Sequence, residues 1–292
     1  MSKCILCPRR CGADRTTERG FCGAGDEIRV ARAALHEWEE PPLVGERGSG
    51  TVFFSGCALR CEYCQNAEIS HGCVGKTVSP ERLYDIFFEL KNAGAANINL
   101  VTADHYLPQT APVAKRARAD GLGIPFVLNT SSYLSENQLE IASEFTDVYL
   151  ADFKYSSPER AMKYSLAPDY PKVAKDAIDA MYEQTGAPVV EGGLIKRGVI
   201  VRVLVLPGGV IDAKACIRYL YKRYGDGVFI SVMGQYVPVG GLVHRELQKK
   251  LTPASYRSVT RYARSLGITR GFIQDEGADD SAFIPEFDLR GV

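Results

Sequence analysis

The chain has 292 residues, 46% hydrophobic and 24% charged, which is enough to bury a sizeable core. Its 35 Lys and Arg residues are balanced by 35 Asp and Glu residues, so no global field would attract nucleic acid or anionic lipid. No apolar run is long enough to span a bilayer, and the N-terminus lacks a signal-peptide pattern. We therefore expect a cytoplasmic protein, in which nine cysteines indicate metal ligation or chemistry rather than disulfides.

Residues 1–50 are rich in Cys, Arg, Gly and Pro and show little periodicity, which predicts a small, irregular, metal-binding segment. Four of its cysteines follow the spacing C-x2-C-x3-C-x10-C: Cys4, Cys7, Cys11 and Cys22. Four thiolates without an evident catalytic partner are typical of a closed structural site. The occupant is either zinc or a fully ligated auxiliary iron–sulfur cluster, and the spacing does not separate them.

The stretch "HEWEEPP" joins this segment to the rest of the chain. We expect Trp38 to pack against the protein. Glu39 and Glu40 are interpreted as solvated acids rather than as substrate contacts.

From "TVFFSG" onward, short apolar runs alternate with helical patterns, which predicts six βα units and a parallel sheet. The other predicted strands are "NINLVT", "PFVLNT", "VYLADF", "VIVRVLVL" and "VFISVM". We expect residues 51–275 to form an α/β fold, a partial (β/α)6 TIM-like barrel, with an open doubly wound sheet as the alternative. Residues 276–292 are expected to dock on the barrel as a tail. In either architecture, ligands bind at the carboxyl ends of the strands.

The loop after the first of these strands, "SGCALRCEYCQNAEIS", carries Cys57, Cys61 and Cys64 in a C-x3-C-x2-C pattern. Three thiolates can hold three irons of a [4Fe-4S] cluster, and the fourth iron stays open to a small molecule. Tyr63 is expected to shield such a cluster from water. The alternatives are a zinc site completed by another ligand such as His71, or a reduced cysteine-rich turn.

This loop resembles the signature of the radical S-adenosylmethionine (SAM) superfamily. More closely, "GCALRCEYCQN", "LADFKY" and "VRVLVLPGG" resemble the pyruvate formate-lyase activating enzymes, and the whole chain is similar to uncharacterised activase-related iron–sulfur proteins. The resemblance implies a [4Fe-4S] cluster that binds SAM and splits it, with one electron, into methionine and a hydrogen-abstracting 5′-deoxyadenosyl radical. It also implies a glycyl radical enzyme as partner and a flavodoxin- or ferredoxin-type electron donor.

The resemblance further implies binding residues at the ends of the later strands. In "LADFKY", Lys154 would lie beside the cofactor, and Asp152 would hold a monovalent cation together with Thr130. Asn129 stands where the activating enzymes have an acid, which removes a charge from that cation site. Arg202 matches a strand arginine expected to contact the cofactor. The alternative for Asp152 and Lys154 is a solvated strand end.

Two stretches depart from the family pattern. "VTADHY" replaces a Gly-Gly-Glu type motif, so Thr102 and Asp104 become candidates for receiving the cofactor amine. His105 in the same stretch is as readily a loop donor as a catalytic group. "SVMGQYVP" has Gln235 and Tyr236 in place of a histidine near the ribose, and either could supply the replacement hydrogen bond.

Three classes of function follow. The leading hypothesis is a radical SAM oxidoreductase that activates a glycyl radical enzyme, with a version acting on a small molecule or another protein as its variant. A non-catalytic iron–sulfur or zinc protein is the second class, and it predicts four ligands at every metal. Nucleic-acid modification is the third, and the balanced charge and lack of a basic, aromatic-rich stretch disfavour it.

Overall fold

The computed structural model describes residues 3–275 and 285–292. The strands are β1 (Arg29–His36), β2 (Ser49–Phe54), β3 (Lys76–Thr77), β4 (Ile98–Val101), β5 (Phe126–Thr130), β6 (Val148–Asp152), β7 (Val189–Glu191), β8 (Leu194–Leu204), β9 (Phe229–Met233) and β10 (Gly271–Ile273). The helices are α1 (Pro41–Val44), α2 (Ala67–Ser70), α3 (Pro80–Asn92), α4 (Leu107–Ala119), α5 (Glu136–Ser143), α6 (Pro158–Ser165), α7 (Tyr170–Thr185), α8 (Val210–Tyr224) and α9 (Pro253–Ser265). None of the helices in these ranges combines the length and apolar character needed to span a bilayer.

The sheet is mostly parallel and remains open. Strands β2, β4, β5, β6, β8, β9 and β10 run parallel in that spatial order, β1 and β3 extend the β2 edge in antiparallel fashion, and β7 pairs with β8. Among the described residues no pairing joins β10 to β1 or β3, so the barrel does not close. The α/β, partial TIM-like barrel fold is therefore confirmed, including all six predicted strands. Strand β10 adds a further parallel strand at the edge.

Local sequence signals explain where several helices begin. The Ser79 hydroxyl accepts a hydrogen bond from the backbone N–H of Arg82, which caps α3 in front of Pro80. Ser135 and Gln138 form a reciprocal capping box at α5. Helix α4 contains Pro112, although an internal proline removes a backbone hydrogen bond and normally kinks or breaks a helix.

The predicted irregular segment 1–50 is irregular only in part. Strand β1 lies within it and pairs with β2 along most of its length, so the segment enters the same sheet as the barrel. Residues 3–28 carry neither helix nor strand. The division of the chain at residue 50 therefore stays a prediction.

The predicted tail at 276–292 falls partly outside the described residues, which omit 276–284. The last residues lie along β1, where the Ala33 N–H donates to the Arg290 carbonyl over 2.8 Å. Phe287 packs edge-on against Phe53, with ring centroids 5.6 Å apart.

The barrel interior changes from apolar to polar along the strands. Leu43 of α1 packs into an apolar cluster at the amino ends of the strands, with Val127, Val148, Leu150, Ile195 and Ile200. Side chains alternate across a strand, so the inward-facing residues two positions further along form the next layer. That layer is polar, with Asn129 on β5, Asp152 on β6 and Arg202 on β8. The sheet thus places an apolar floor beneath a charged interior.

Candidate active site

A cavity of about 640 Å³ opens at the carboxyl ends of the parallel strands. This volume lies within the range of about 300–1,000 Å³ that is typical of ligand sites. Most of the predicted site residues line it: Cys57, Cys61, Tyr63, Cys64, Thr102, Asn129, Thr130, Asp152, Lys154, Arg202, Gln235 and Tyr236. Asp104 is buried and does not line it, and neither do the four N-terminal cysteines.

The cysteine loop lies against the N-terminal segment. Gly56 begins the loop with φ +91°, and a Cβ atom there would lie 2.6 Å from the Cys22 carbonyl oxygen. The next N–H, that of Cys57, donates to the same carbonyl over 2.9 Å. Only glycine tolerates both the conformation and the close approach. The N-terminal cysteine segment therefore fixes the backbone of the first thiol.

Two hydroxyl groups point at the loop sulfurs. Ser165 Oγ donates to Cys61 Sγ over 3.0 Å, and Ser70 Oγ donates to Cys64 Sγ over 3.3 Å. Burial, with Cys61 adding to it, raises the pKa of the Cys57 thiol to about 12, and burial also raises the pKa of Cys64. Burial favours the neutral thiol, so three thiolates here require a bound metal to stabilise them.

Tyr63 shields one side of the loop as the sequence predicts. Its side chain is buried, and its ring packs among those of Tyr155, Tyr164 and Tyr236, with centroid distances of 6.3, 6.4 and 6.3 Å. The Tyr155 hydroxyl also hydrogen-bonds the Ser165 hydroxyl over 2.7 Å. This aromatic cluster keeps water away from the sulfur of Cys61.

Arg9 holds the loop from outside the cavity, a role the sequence did not reveal. Its guanidinium donates to the carbonyls of Ala58 at 2.9 Å and Leu59 at 3.3 Å, and to that of Ser165 at 2.7 Å. The guanidinium carbon lies 4.3 Å from the centre of the Phe21 ring. One side chain thus joins the N-terminal segment, the cysteine loop and the end of α6.

A row of charges crosses the polar layer of the barrel. Lys154 Nζ donates to Asp152 Oδ2 over 2.7 Å, and Arg202 Nε donates to Asp152 Oδ1 over 2.8 Å. Arg202 Nη2 also donates to Asn129 Oδ1 over 2.7 Å. Burial raises the pKa of Asp152, but Arg202 and Lys154 outweigh it, so the pKa falls below its ordinary value. Both Asp152 carboxylate oxygens are thus paired with cationic side chains, and the monovalent-cation site expected at Asp152 and Thr130 stays a prediction.

Glu39 and Glu40 lie in the cavity wall, so their interpretation as solvated acids is wrong. The Glu39 side chain is 8% exposed and Glu40 is 7% exposed. Glu39 accepts a hydrogen bond from Asn99 Nδ2 at 3.0 Å and lies 3.5 Å from Arg202. Burial raises the pKa of Glu40 to about 7, although Arg202 opposes the shift. Trp38, expected to pack, is 60% exposed instead and also lines the cavity.

The stretch that replaces the Gly-Gly-Glu motif is strained and largely buried. Thr102 has φ +60°, a left-handed conformation that is costly for a β-branched residue, and its N–H donates to the Asn129 carbonyl over 2.9 Å. Burial raises the pKa of Asp104 to about 7, although the Thr130 hydroxyl lowers it. Backbone strain at a cavity wall is typical of a functional site.

His105 belongs to the loop scaffold. Its Nε2 lies 2.8 Å from the Ser55 carbonyl oxygen, and burial lowers its pKa to about 4. A neutral ring that donates to this carbonyl holds the start of the cysteine loop, and the ring does not line the cavity. Of the two interpretations of His105, the structure favours the loop donor.

Gln235 and Tyr236 differ in what they offer to a ligand. Gln235 lines the cavity, and its Oε1 accepts a hydrogen bond from Gln274 Nε2 over 2.9 Å, a bond that does not use the two donors of its NH2 group. The Tyr236 hydroxyl donates to the Leu247 carbonyl, so this residue lines the cavity with its ring alone. Gln235 is therefore the better candidate for the replacement hydrogen bond.

The four N-terminal thiols lie close to one another. A Cβ atom at Gly20 would lie 3.4 Å from Cys11 Sγ and 3.5 Å from Cys22 Sγ. Burial raises the pKa of Cys7 to about 11, and the neighbouring Cys4 and Cys22 thiols contribute to the increase. Across the described ranges, no three Cys, His, Asp or Glu side chains are arranged around a single metal ion. Metal binding by the quartet stays a prediction.

The residues that line the cavity fit a [4Fe-4S] cluster together with SAM. Cys57, Cys61 and Cys64 supply three thiols from one loop, which is the donor set of a cluster with one open iron. Lys154 supplies a cationic donor near them, and Arg202 supplies another in the same cavity wall; both are of the kind that bind a carboxylate. His71 does not line the cavity. The fold and this donor set fit an α/β-barrel protein that holds an iron–sulfur cluster with one open iron.

Comparison with known proteins gives the family. The model of the radical SAM superfamily matches residues 51–208, more than half of the chain. The chain belongs to the radical SAM superfamily.

Two relatives and one solved structure are similar to parts of the chain. An uncharacterized protein of Methanocaldococcus jannaschii is 30% identical over 80% of this chain and 66% of its own length. The pyruvate formate-lyase-activating enzyme of Clostridium pasteurianum is 28% identical over 41% of this chain and 52% of its own. The chain thus spans less than two thirds of either relative. SuiB of Streptococcus suis, crystallised with S-adenosylmethionine, shares the fold, with a TM-score of 0.50, 13% identity, and coverage of 76% of this chain and 48% of that one.

Proposed function

We propose that this protein is a radical SAM oxidoreductase of the activase-like type, which abstracts a hydrogen atom from a protein substrate. The observation that supports this most directly is the loop of three thiols at one end of a cavity with Lys154, Asp152 and Arg202 in its wall. When bound there, a reduced [4Fe-4S] cluster and SAM supply one-electron cleavage of the sulfonium C–S bond, yielding methionine and a 5′-deoxyadenosyl radical.

The side chains of the cavity have separate tasks in this proposal. Cys57, Cys61 and Cys64 hold the cluster, and Tyr63 excludes water from it. Lys154 provides a positive charge beside the thiols. Burial lowers the pKa of Lys154, but the negative charges of Asp152 and Cys61 raise it by more, so the pKa lies above its ordinary value and the side chain stays an ammonium. An ammonium at this place binds the carboxylate of the cofactor.

Further cavity residues orient the cofactor. The strained backbone at Thr102 faces the cavity at the end of β4 and receives the cofactor amine. Asn129, Thr130 and Gln235 provide neutral donors and acceptors for the ribose and adenine. Asp104 supports Thr130 from behind the wall and does not itself touch the ligand.

A glycyl radical enzyme is the proposed partner, and a flavodoxin- or ferredoxin-type protein is the proposed electron donor. Support for the first comes from the similarity to the Clostridium pasteurianum activating enzyme. SuiB has also been crystallised with its precursor peptide, which is consistent with a peptide or protein substrate. The departures at Thr102, Asn129 and Gln235 from the activating-enzyme pattern favour a second version, in which a different protein or a small molecule donates the hydrogen atom.

The proposal is tested on anaerobically reconstituted protein with dithionite and SAM. We expect the wild type to produce 5′-deoxyadenosine, measured by mass-resolved chromatography, and Cys61→Ala to produce none. Cys216→Ala is the matched control, because this buried cysteine lies on α8 outside the cavity. A wild type that carries a complete cluster and yields no 5′-deoxyadenosine would reject the radical function. If 5′-deoxyadenosine forms, a glycyl radical enzyme is added and examined by electron paramagnetic resonance. A glycyl radical signal supports the activase version, and its absence supports the version that acts on a different protein or a small molecule.

We also propose that Cys4, Cys7, Cys11 and Cys22 bind zinc or an auxiliary iron–sulfur cluster that stabilises residues 1–50. Support comes from their mutual proximity and from the scarcity of regular structure around them. Metal analysis of the wild type and of a Cys7→Ser, Cys22→Ser variant tests it. We expect the variant to lose the metal of the N-terminal site and to keep the iron of the loop cluster. An unchanged metal content in the variant would refute the proposal.

A further inference from the structure

The segment between β1 and α1 brings an unpartnered acceptor into the cavity. Glu40 lines the cavity and is 7% exposed, and its Oε2 atom has no hydrogen-bond partner among the described residues. The Ser231 hydroxyl lies beside the same carboxyl group. A buried acceptor without a donor is costly, so the arrangement implies that a bound molecule supplies the donor.

The carboxyl groups of this layer outnumber its cations. Among the described residues, Glu39, Glu40 and Asp152 line this part of the wall with two strong cations, Lys154 and Arg202, and Asp275 is a further acid in the cavity lining. Both cations contact Asp152, and Arg202 approaches Glu39 no closer than 3.5 Å. Among the described residues Glu40 forms no ion pair. The layer therefore holds one carboxylate more than it holds cations.

This surplus lies at the far end of the charged row from the cluster loop. The row begins with Lys154, which interacts electrostatically with Cys61, and continues through Asp152 to Arg202 and the glutamates. Apolar and aromatic side chains line the same cavity: Trp38, Pro41, Phe53, Met233 and Phe272. Such a wall accommodates an alkyl chain, and the carboxylates at its end accommodate a cation.

We infer that Glu39 and Glu40 form a substrate subsite that takes a primary ammonium group carried on an alkyl chain. The inference rests on the proposed function, which supplies the reaction for which such a molecule would be the substrate. An ammonium ion has three donors, which suits the unpartnered Oε2 atom of Glu40 and the Glu39 carboxylate that is only weakly paired with Arg202. A bound cation also favours the ionised form of Glu40, whose pKa burial has raised.

The test uses the anaerobic holoprotein and n-butylammonium as probe, with 1-butanol and butyrate as neutral and anionic counterparts of matching length. Ligand-observed NMR titrations give the dissociation constants. We expect n-butylammonium to bind, the two counterparts not to bind measurably, and Glu40→Gln to weaken binding about tenfold. Glu37→Gln is the matched control, because Glu37 is exposed in the same segment and lies outside the cavity.

Any one of three results would refute the inference. It fails if Glu40→Gln binds the probe as well as the wild type does, if butyrate or butanol binds equally well, or if SAM displaces n-butylammonium. If Glu40→Gln does not fold, the inference is tested by n-butylammonium binding to Glu39→Gln and by the comparison of the three probes on the wild type. Wild-type 5′-deoxyadenosine formation is measured on the same preparation. Cleavage without ammonium binding refutes this inference alone, and ammonium binding without cleavage refutes only the radical function.

Discussion

Asp152 and Arg202 lie directly opposite each other on the neighbouring parallel strands β6 and β8, and the guanidinium Nε donates to Asp152 Oδ1 over 2.8 Å. The Arg202 side chain is only 14% exposed, and a buried arginine is tolerated only when its charge is paired. The same guanidinium bonds Asn129, so it connects three adjacent strands at one level of the barrel. This pairing fixes the polar layer on which the cavity is built.

Replacing Arg202 should therefore destabilise the fold. We expect Arg202→Met to lose about 3–5 kcal/mol of unfolding free energy, because it leaves the Glu39 carboxylate buried without its cation and Asp152 with Lys154 alone. Anaerobic urea denaturation measures the change. Arg197→Met on the exposed face of β8 is the control and should change stability by less than about 0.5 kcal/mol. Equal stabilities of the two variants would show that the charged layer is not structural.

The hydroxyl at Cys61 should tune the cluster. Removing the 3.0 Å hydrogen bond in Ser165→Ala makes the thiolate more electron-rich, so the reduction potential of the cluster should fall by some tens of millivolts. A redox titration followed by electron paramagnetic resonance measures the shift. Ser157→Ala at the other end of α6 removes only a helix cap and should leave the potential unchanged. An unaltered potential in Ser165→Ala would argue against the hydrogen bond to the thiolate.

The buried Asp104 should make stability depend on pH. Burial raises its pKa from 3.8 to about 7, with the Thr130 hydroxyl opposing and Asp152 adding to the increase. The folded state therefore keeps a proton that the unfolded state loses, so this contribution to stability is full below about pH 4 and is lost as the pH rises towards 7.

The matching variant removes that dependence. Relative to the wild type, Asp104→Asn should gain about 4 kcal/mol between pH 4 and pH 7.5, as measured by denaturation at a series of pH values. Asp85→Asn, at an exposed position of α3, should follow the wild-type curve. A constant difference between Asp104→Asn and the wild type across this range would show that Asp104 is ionised throughout.

Arg9 should control how firmly the cluster is held. Arg9→Ala leaves the carbonyls of Ala58 and Leu59 without their donor, which costs about 1–3 kcal/mol for each acceptor that stays buried. We expect iron release to a chelator to accelerate at least tenfold, whereas the adjacent, exposed Arg10→Ala variant releases iron at the wild-type rate. Arg9→Lys should not restore retention, because an ammonium cannot span several carbonyls as the guanidinium does.

Regular patterns made much of the fold predictable. The β-branched runs indicated six of the seven parallel strands, and the loop position of Cys57 placed the thiols at the carboxyl ends of those strands. Helix α4 forms in spite of its internal Pro112, because tertiary packing buries one face of the helix, including Leu107 and Ala114. Local sequence signals and packing disagreed there, and packing prevailed.

The parts of the site that could not be predicted depend on long-range contacts. "HEWEEPP" reads as polar, and only its enclosure by strands far along the chain makes Glu39 and Glu40 cavity residues. Likewise, nothing near Arg9 in the sequence indicates that it bonds Ala58 and Ser165. Such roles become visible only when the partners are known.

The contact between Glu39 and Arg202 also has a consequence for biosynthesis, because 163 positions separate the two residues in the chain. At a synthesis rate of about 5–20 residues per second, roughly 8–30 seconds pass between the synthesis of Glu39 and that of Arg202. Until β8 leaves the ribosome, the carboxylates cannot be buried favourably and the inner layer cannot assemble. The N-terminal third of the chain therefore reaches its final packing only late in translation.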